Sequence, residues 1–247
     1  MDNYRSFAAI YDELMTNAPY EKWGAYIYNV LKKQNFEAKS PLVLDLACGT
    51  GTMTVYLAKK GYDMIGVDIS VDMLASAQEK AYENKQQILF LRQDMRKLDL
   101  FGTIDAAVCV CDGLNYILKE DELCKVFERV RLFLNPGGVF IFDINTEYKF
   151  KELFGNRIFE GKAKGGAAYE MENKYDETTK INEYHVLFYT KGESEFTETH
   201  KQRAYDIDQV MQMLKNAGFS DVEVTHEYTN EPPRADSPRV TFVAVAP

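Results

Sequence analysis

Three aspartates in the chain each close an apolar run: Asp45 in "LVLDLA", Asp68 in "MIGVD" and Asp94 in "FLRQD". Just after the first comes "CGTGT", with Gly49 and Gly51 one residue apart. A strand, a glycine turn and a helix start, in that order, press bare peptide N–H groups against a bound anion, and the aspartates add acceptors beside it. Chemistry of this kind serves nucleotides and nucleosides. A P-loop is excluded, because Gly49-Thr50-Gly51-Thr52-Met53-Thr54 has no lysine for the phosphates of GxxxxGK[ST]. A dinucleotide fingerprint is disfavoured. The third glycine of GxGxxG is replaced by Thr54, and Asp45 would face a doubly anionic pyrophosphate away from bulk water.

A cationic, phosphate-free ligand satisfies the same groups. S-Adenosylmethionine carries a sulfonium, an ammonium and a carboxylate. The amides after Gly49 and Gly51 can take the carboxylate, and Asp45 with nearby carbonyls can balance the ammonium. Asp68, 17 residues past Gly51, can accept both ribose hydroxyls, a feature shared with NAD sites. Asp94 can accept from an adenine 6-amino group, with the Met95 amide beside it. Each aspartate also has a plainer role, capping the helix that follows it.

These groups need a scaffold, and the chain spells one. Residues 4 to about 35 carry helical periodicity, with Phe7, Ile10, Tyr11 and Leu14, then Trp23, Ile27, Val30 and Leu31, split near Pro19. Apolar strands then alternate with helices: "LVLDLA", "DMIGVDI", "ILFLRQD", "IDAAVCVCD" and "VFIFDIN". Strands apolar on both faces, joined by helices, imply a parallel sheet covered on both sides. After Asn145 the pattern changes to period-2 runs. "AAYEMENKY", "INEYHVLFYT" and "EFTETHKQRAY" predict three antiparallel strands joined at "DETTK" and "KGES". A helix at "DIDQVMQMLKNAGF" and strands "DVEVTHEY" and "RVTFVAVA" resume the first program. The expected organisation is a core from residues 1–146 and 205–247, with a helical N-terminal cap, and an inserted antiparallel subdomain over residues 147–204.

At 247 residues and 46% hydrophobic, the chain can bury one large α/β core. A formal charge of −9 disfavours nucleic acid, whose phosphates demand a basic surface. Cys109 and Cys111, two apart on a strand, are expected to face one side. Together with Cys48 and Cys124 they read as small buried thiols, with a metal site or a disulfide as the other readings. His185 and His226 have no partner at metal spacing and read as structural. The first residues lack the basic and apolar regions of a signal peptide, and no stretch is long and apolar enough for a membrane span, so a soluble, cytoplasmic protein is expected.

The motifs "VLDLACGTG", "IGVDIS..ML", "RQDM" and "LNPGG" resemble those of the class I S-adenosylmethionine-dependent methyltransferases, over roughly residues 36–146 and the final strands. The lead "YRSFAAIYDELM" with "VCDGLNYIL" is similar to a bacterial, Firmicutes-type subgroup of methyltransferase domains, with glycine N-methyltransferase more distant. The resemblance implies a Rossmann-like α/β fold, a seven-stranded, mostly parallel sheet whose last strand runs antiparallel, with helices on both faces. It implies a cofactor wall of Asp45, Ala47, Gly49, Gly51, Asp68, Ile69, Met73, Asp94, Met95, Cys111 and Asp112. Tyr11 either closes over the cofactor or packs as a core aromatic; Trp23 is a further candidate of the same kind.

Methyl transfer from a sulfonium is an in-line displacement that asks for alignment, and for a base only where the acceptor must lose a proton. No metal is called for. The acceptor is expected beyond "CVCDGLNYIL", which lacks both the DPPY or NPPY loop and a Pro-Cys nucleophile. Asp112 and Asn115 either orient the acceptor or, in the case of Asp112, cap the next helix, while Tyr116 sits at the cofactor mouth. His200, Arg203 and Tyr205, where the insert returns to the core, are candidates for substrate contacts or a solvated strand edge. The inserted strands would form a lid, a dimer surface or both. The leading reading is methylation of an O or N atom on a small molecule, by a monomer or homodimer. The competing readings are an RNA or protein acceptor, a non-catalytic cofactor-binding regulator, and an NAD-dependent oxidoreductase.

Overall fold

The fold was analysed in a computed structural model that describes residues 7–34, 36–162, 168–189 and 196–247. The helical positions before Phe7, the side chains of Phe7 and Ile10, and the turn at residues 191–194 lie outside the described residues. Helices α1 (Phe7–Leu14) and α2 (Tyr20–Lys33) are separated at Pro19, which precedes the first turn of α2. The core follows as β1 (Leu42–Leu46), α3 (Thr52–Ala58), β2 (Asp63–Asp68), α4 (Val71–Glu83), β3 (Leu89–Arg92), β4 (Ile104–Cys109), α5 (Glu120–Phe133) and β5 (Leu134–Asn145). Strands β6 (Ile158–Lys162), β7 (Ala168–Asp176), β8 (Ile181–Tyr189) and β9 (Phe196–Arg203) come next. Then follow α6 (Ile207–Asn216), β10 (Val222–His226) and β11 (Arg239–Val245).

The large sheet has the order β10-β11-β5-β4-β1-β2-β3, and β11 alone runs antiparallel to its neighbours β5 and β10. Alternate residues feed two cores. Leu44, Ala107, Phe140 and Phe242 pack under α5 and α6, where Phe142 stacks on its paired Phe242 at 4.8 Å. Val43, Val108, Ile141 and Val243 face α2 and α3 through Ile27, Leu31, Met53 and Leu57. The order reverses at the β1/β4 boundary, which opens a crevice at the carboxyl ends of these strands.

Three features differ from the sequence expectation. The antiparallel sheet has four strands, β6-β7-β8-β9, rather than three. β6, "IFEGK", is short and polar; it is held by pairing with β7, and a Cβ at Gly161 would come within 2.5 Å of the Tyr169 ring. A π-helical turn, Lys149–Phe154, precedes it. Cys109 and Cys111 do not share a side: β4 ends at Cys109, Cys111 takes a left-handed φ of 61°, and the two thiols enter opposite cores. All four cysteines are free, and no helix among the described residues is long and apolar enough to cross a membrane.

Candidate active site

The crevice is a cavity of about 970 Å³, at the upper end of small-molecule sites. One wall is the glycine turn and the ends of β2, β3 and β4; facing it are Thr197, Glu198 and His200 of β9. After β1 the backbone passes through the left-handed region at Ala47 (φ 57°), Gly49 (φ 54°) and Gly51 (φ 74°). At Gly49 a Cβ would meet nothing within 4 Å, so this peptide faces open space. Gly51 differs. Its Cβ would lie 2.9 Å from Ala77 on α4, so this glycine serves the packing of two helices and is not part of the cavity wall. Ala47, without that freedom, carries roughly 1–2 kcal/mol of strain on the wall itself.

The three strand-end aspartates have separate fates. Asp68 lies on the wall, where one oxygen accepts from the Gly49 amide and the other from the Ser70 amide, each at 2.9 Å. The cap of α4 is Ser70, which accepts from the Met73 amide, so Asp68 links two turns and keeps lone pairs for further donors. Asp94 also lines the cavity, but Arg96 grips both its oxygens at 2.6–3.0 Å and reaches on to Glu122 at 2.8 Å. The guanidinium holds the Asp94 carboxyl below its usual range. Asp45 does not reach the cavity. It is fully buried, with one oxygen accepting from the Thr54 hydroxyl and the other unpartnered, and burial pushes it up to about 7. Ile69, Met73, Met95 and Val67 supply an apolar shelf beside Asp68.

At the tip of β4, Tyr11 meets Cys111, its hydroxyl 3.8 Å from the thiol and hydrogen-bonded to Tyr20. All three line the cavity, and burial raises both phenols far above their ordinary value, so they stay protonated donors. Cys111 and Asp112 are successive non-glycine residues with φ of 61° and 57°. What holds this turn is a buried ionic network. Arg239 reaches Asp112 at 2.8 Å and pairs with Asp143, Tyr228 donates to Asp143, the Asp112 amide donates to Asp143 at 3.0 Å, and Gln202 of β9 donates to Asp112. Trp23 stacks on Tyr228 at 5.4 Å and under Arg239, buried behind the network rather than over the cavity.

Asn115 is likewise a strut: its side chain bonds the backbone of Asn145 in both directions and the Arg203 carbonyl. Arg203 binds the Leu118 carbonyl and Glu120, and the Tyr205 hydroxyl donates to the Ile117 carbonyl. Trp23, Asp45, Gly51, Asp112, Asn115, Arg203 and Tyr205 are therefore absent from the wall, because each is spent on joining elements. His185 and His226 are engaged by Thr199 and Ser237.

The remaining expected residues come together. Tyr116 lies 2.8 Å from the Tyr184 hydroxyl and 3.3 Å from His200 Nδ1, and His200 stacks on Tyr184 at 4.9 Å. Burial lowers His200, so it is neutral near pH 7 and able to accept a proton. Tyr20, Arg96 and Glu198 were not legible as site residues. The period-2 rule places Glu198 on the face of His200, two positions away, and was the one available signal.

The donor set fits the cofactor inferred from the sequence. An open peptide stands at Gly49, a carboxylate at Asp68, and the wall's carboxylates (Asp68, Asp72, Asp94 and Glu198) outnumber its single described guanidinium, Arg96. Such a site prefers a cationic, phosphate-free nucleoside.

Comparison with known proteins gives the same reading. Residues 43–138 match the family model described as a methyltransferase domain. YqeM of Bacillus subtilis (strain 168), whose methyltransferase designation is itself provisional, is 37% identical over 98% of this chain and 96% of its own. A crystal structure of an S-adenosylmethionine-dependent methyltransferase from Clostridium acetobutylicum ATCC 824 superposes with a TM-score of 0.88 at 30% identity, covering 99% of both chains. An N,N-dimethyltransferase of Streptomyces fradiae, named for dTDP-3-amino-3,6-dideoxy-alpha-D-glucopyranose, is 26% identical over 74% of this chain and 71% of its own. With the glycine turn, the acidic strand ends and full-length similarity in agreement, the chain belongs to the class I S-adenosylmethionine-dependent methyltransferases.

Proposed function

We propose that the protein transfers a methyl group to an oxygen or nitrogen of a small-molecule acceptor by in-line displacement, and that the acceptor lies between the strand tips and the inner face of the antiparallel sheet. One observation carries this reading: the motif residues Gly49 and Asp68 and the β9 residues Glu198 and His200 line a single continuous cavity. When bound, S-adenosylmethionine supplies a methyl group on a sulfonium, which needs no further activation. Gly49 and Asp68 would hold it, over the shelf of Ile69, Met73 and Met95, with Tyr11 and Tyr20 as donors at the β4 tip.

The protein's own contribution is positioning and water exclusion. On the acceptor side, neutral His200, next to Tyr116, takes a proton from the attacking group when that group carries one. The division of labour follows the two sheets. Residues 1–146 and 205–247 bind the cofactor, and residues 147–204 cover and select the acceptor. The relative from Streptomyces fradiae, named for a dTDP-linked amino sugar, supports a small-molecule acceptor.

The test is calorimetry with S-adenosylhomocysteine and NAD, followed by incubation with methyl-labelled cofactor and a metabolite extract, with mass identification of the labelled product. Binding of S-adenosylhomocysteine and a labelled small molecule support the reading. Binding of NAD alone, or label found in RNA or protein, overturns it.

A further inference from the structure

Glu198 is the one carboxylate on the acceptor wall that nothing among the described residues answers. Among the described residues it has neither a hydrogen bond nor an ion pair, in a structure where Asp68 holds two amides and Asp94 a guanidinium. Its setting is apolar. On β9 it pairs with Val186 of β8, so the diagonal neighbours on that face are Tyr184 and Phe188, and Tyr184, Val186 and Phe188 belong to one hydrophobic cluster with Leu14, Tyr169 and Met171. A half-buried carboxylate in such a setting is costly when alone and favourable beside a cation, which gains the ion pair.

The whole cavity leans the same way. Four carboxylates line it against Arg96, which Asp94 and Glu122 already engage. A cofactor of net charge +1 leaves the wall anionic. An acceptor bearing phosphate or carboxylate would meet that field with no described cation free to receive it.

We propose that Glu198 is a cation-anchoring subsite, and that the methyl acceptor is a small, phosphate-free compound carrying a protonated amine that docks on Glu198 within the cavity. This deepens the methyltransferase reading and rests on it. The anchored ammonium fixes the acceptor, with His200 two positions along the strand, roughly 6–7 Å away, facing the same space. Burial raises Glu198 above its ordinary value, so the anchor strengthens as pH rises and the carboxyl ionises.

The experiment uses the full chain saturated with S-adenosylhomocysteine. Calorimetry compares ethanolamine, 1,4-diaminobutane and glucosamine with the size-matched anions glycolate, succinate and glucose 6-phosphate. Binding from the amine set, with affinity falling about ten- to a hundredfold in Glu198→Gln, is the expected result. S-Adenosylhomocysteine binding by the variant reports that it is folded. Preference for the anions, amine affinity unchanged in Glu198→Gln, or no binding from the amine set each overturns the proposal. Loss of S-adenosylhomocysteine binding by the unmodified protein instead refutes the methyltransferase site itself.

Discussion

Replacing Asp45 by asparagine is expected to stabilise the chain at alkaline pH. The carboxyl is fully buried, with one oxygen on Thr54 and the other without a partner. Unfolded, it titrates near 3.8; folded, burial lifts it to about 7. The folded state therefore binds this proton more tightly. The stability that protonation provides is complete below about pH 4 and is lost as pH rises through 7, where the folded chain must hold a buried charge. The interval from 3.8 to about 7, at about 1.4 kcal/mol per pH unit, amounts to about 4 kcal/mol. Asparagine has nearly the same shape and can still accept from Thr54, so packing is conserved. Urea denaturation of both proteins at pH 4.5 and pH 8 is the assay. The variant is expected to match the wild type at the lower pH and exceed it by up to about 4 kcal/mol at the higher. A difference between the two that does not change with pH refutes the buried-charge reasoning.

Other outcomes follow from the geometry. Asp68→Ala removes the acceptor that links the Gly49 and Ser70 amides at the cavity, and is expected to weaken S-adenosylhomocysteine binding by about 1–3 kcal/mol in calorimetry; unchanged affinity in a folded variant would take Asp68 out of the site. Arg239→Met leaves Asp112 and Asp143 buried without their cation, a loss of about 3–5 kcal/mol that thermal unfolding reads as a drop of roughly 6–20 °C. A drop below 2 °C would mean that the network contributes little. Asp12→Asn removes the ion pair of α1 with Lys80 (2.7 Å) while leaving an acceptor for Thr50, and stopped-flow release of S-adenosylhomocysteine is expected to quicken a few-fold and lose its salt dependence; identical release rates would show that this ion pair does not hold α1 against the cavity.

Local chemistry was legible in the order of residues. Alternating apolar runs and helices, a glycine pair after the first strand and the switch to period 2 after Asn145 each reflect backbone and solvent preferences confined to a few neighbouring residues. From these came the sheet, the turn and the charge of the cofactor. The four-residue-scale signal also failed locally: "IFEGK" is too short and polar to announce an edge strand that only its pairing with β7 sustains.

Which side chains face the ligand was decided in space. Asp45 and Asp68 end adjacent parallel strands and look alike in sequence, yet one is sealed beneath Thr54 and the other opens on the cavity. Asp112 is claimed by Arg239 from 127 residues away, and Glu198 is left unanswered among the described residues because β9 lies across the crevice from the strand tips. Such pairings depend on strand order and on which long side chains arrive first at a buried charge, and neither is written in the spacing of neighbours along the chain.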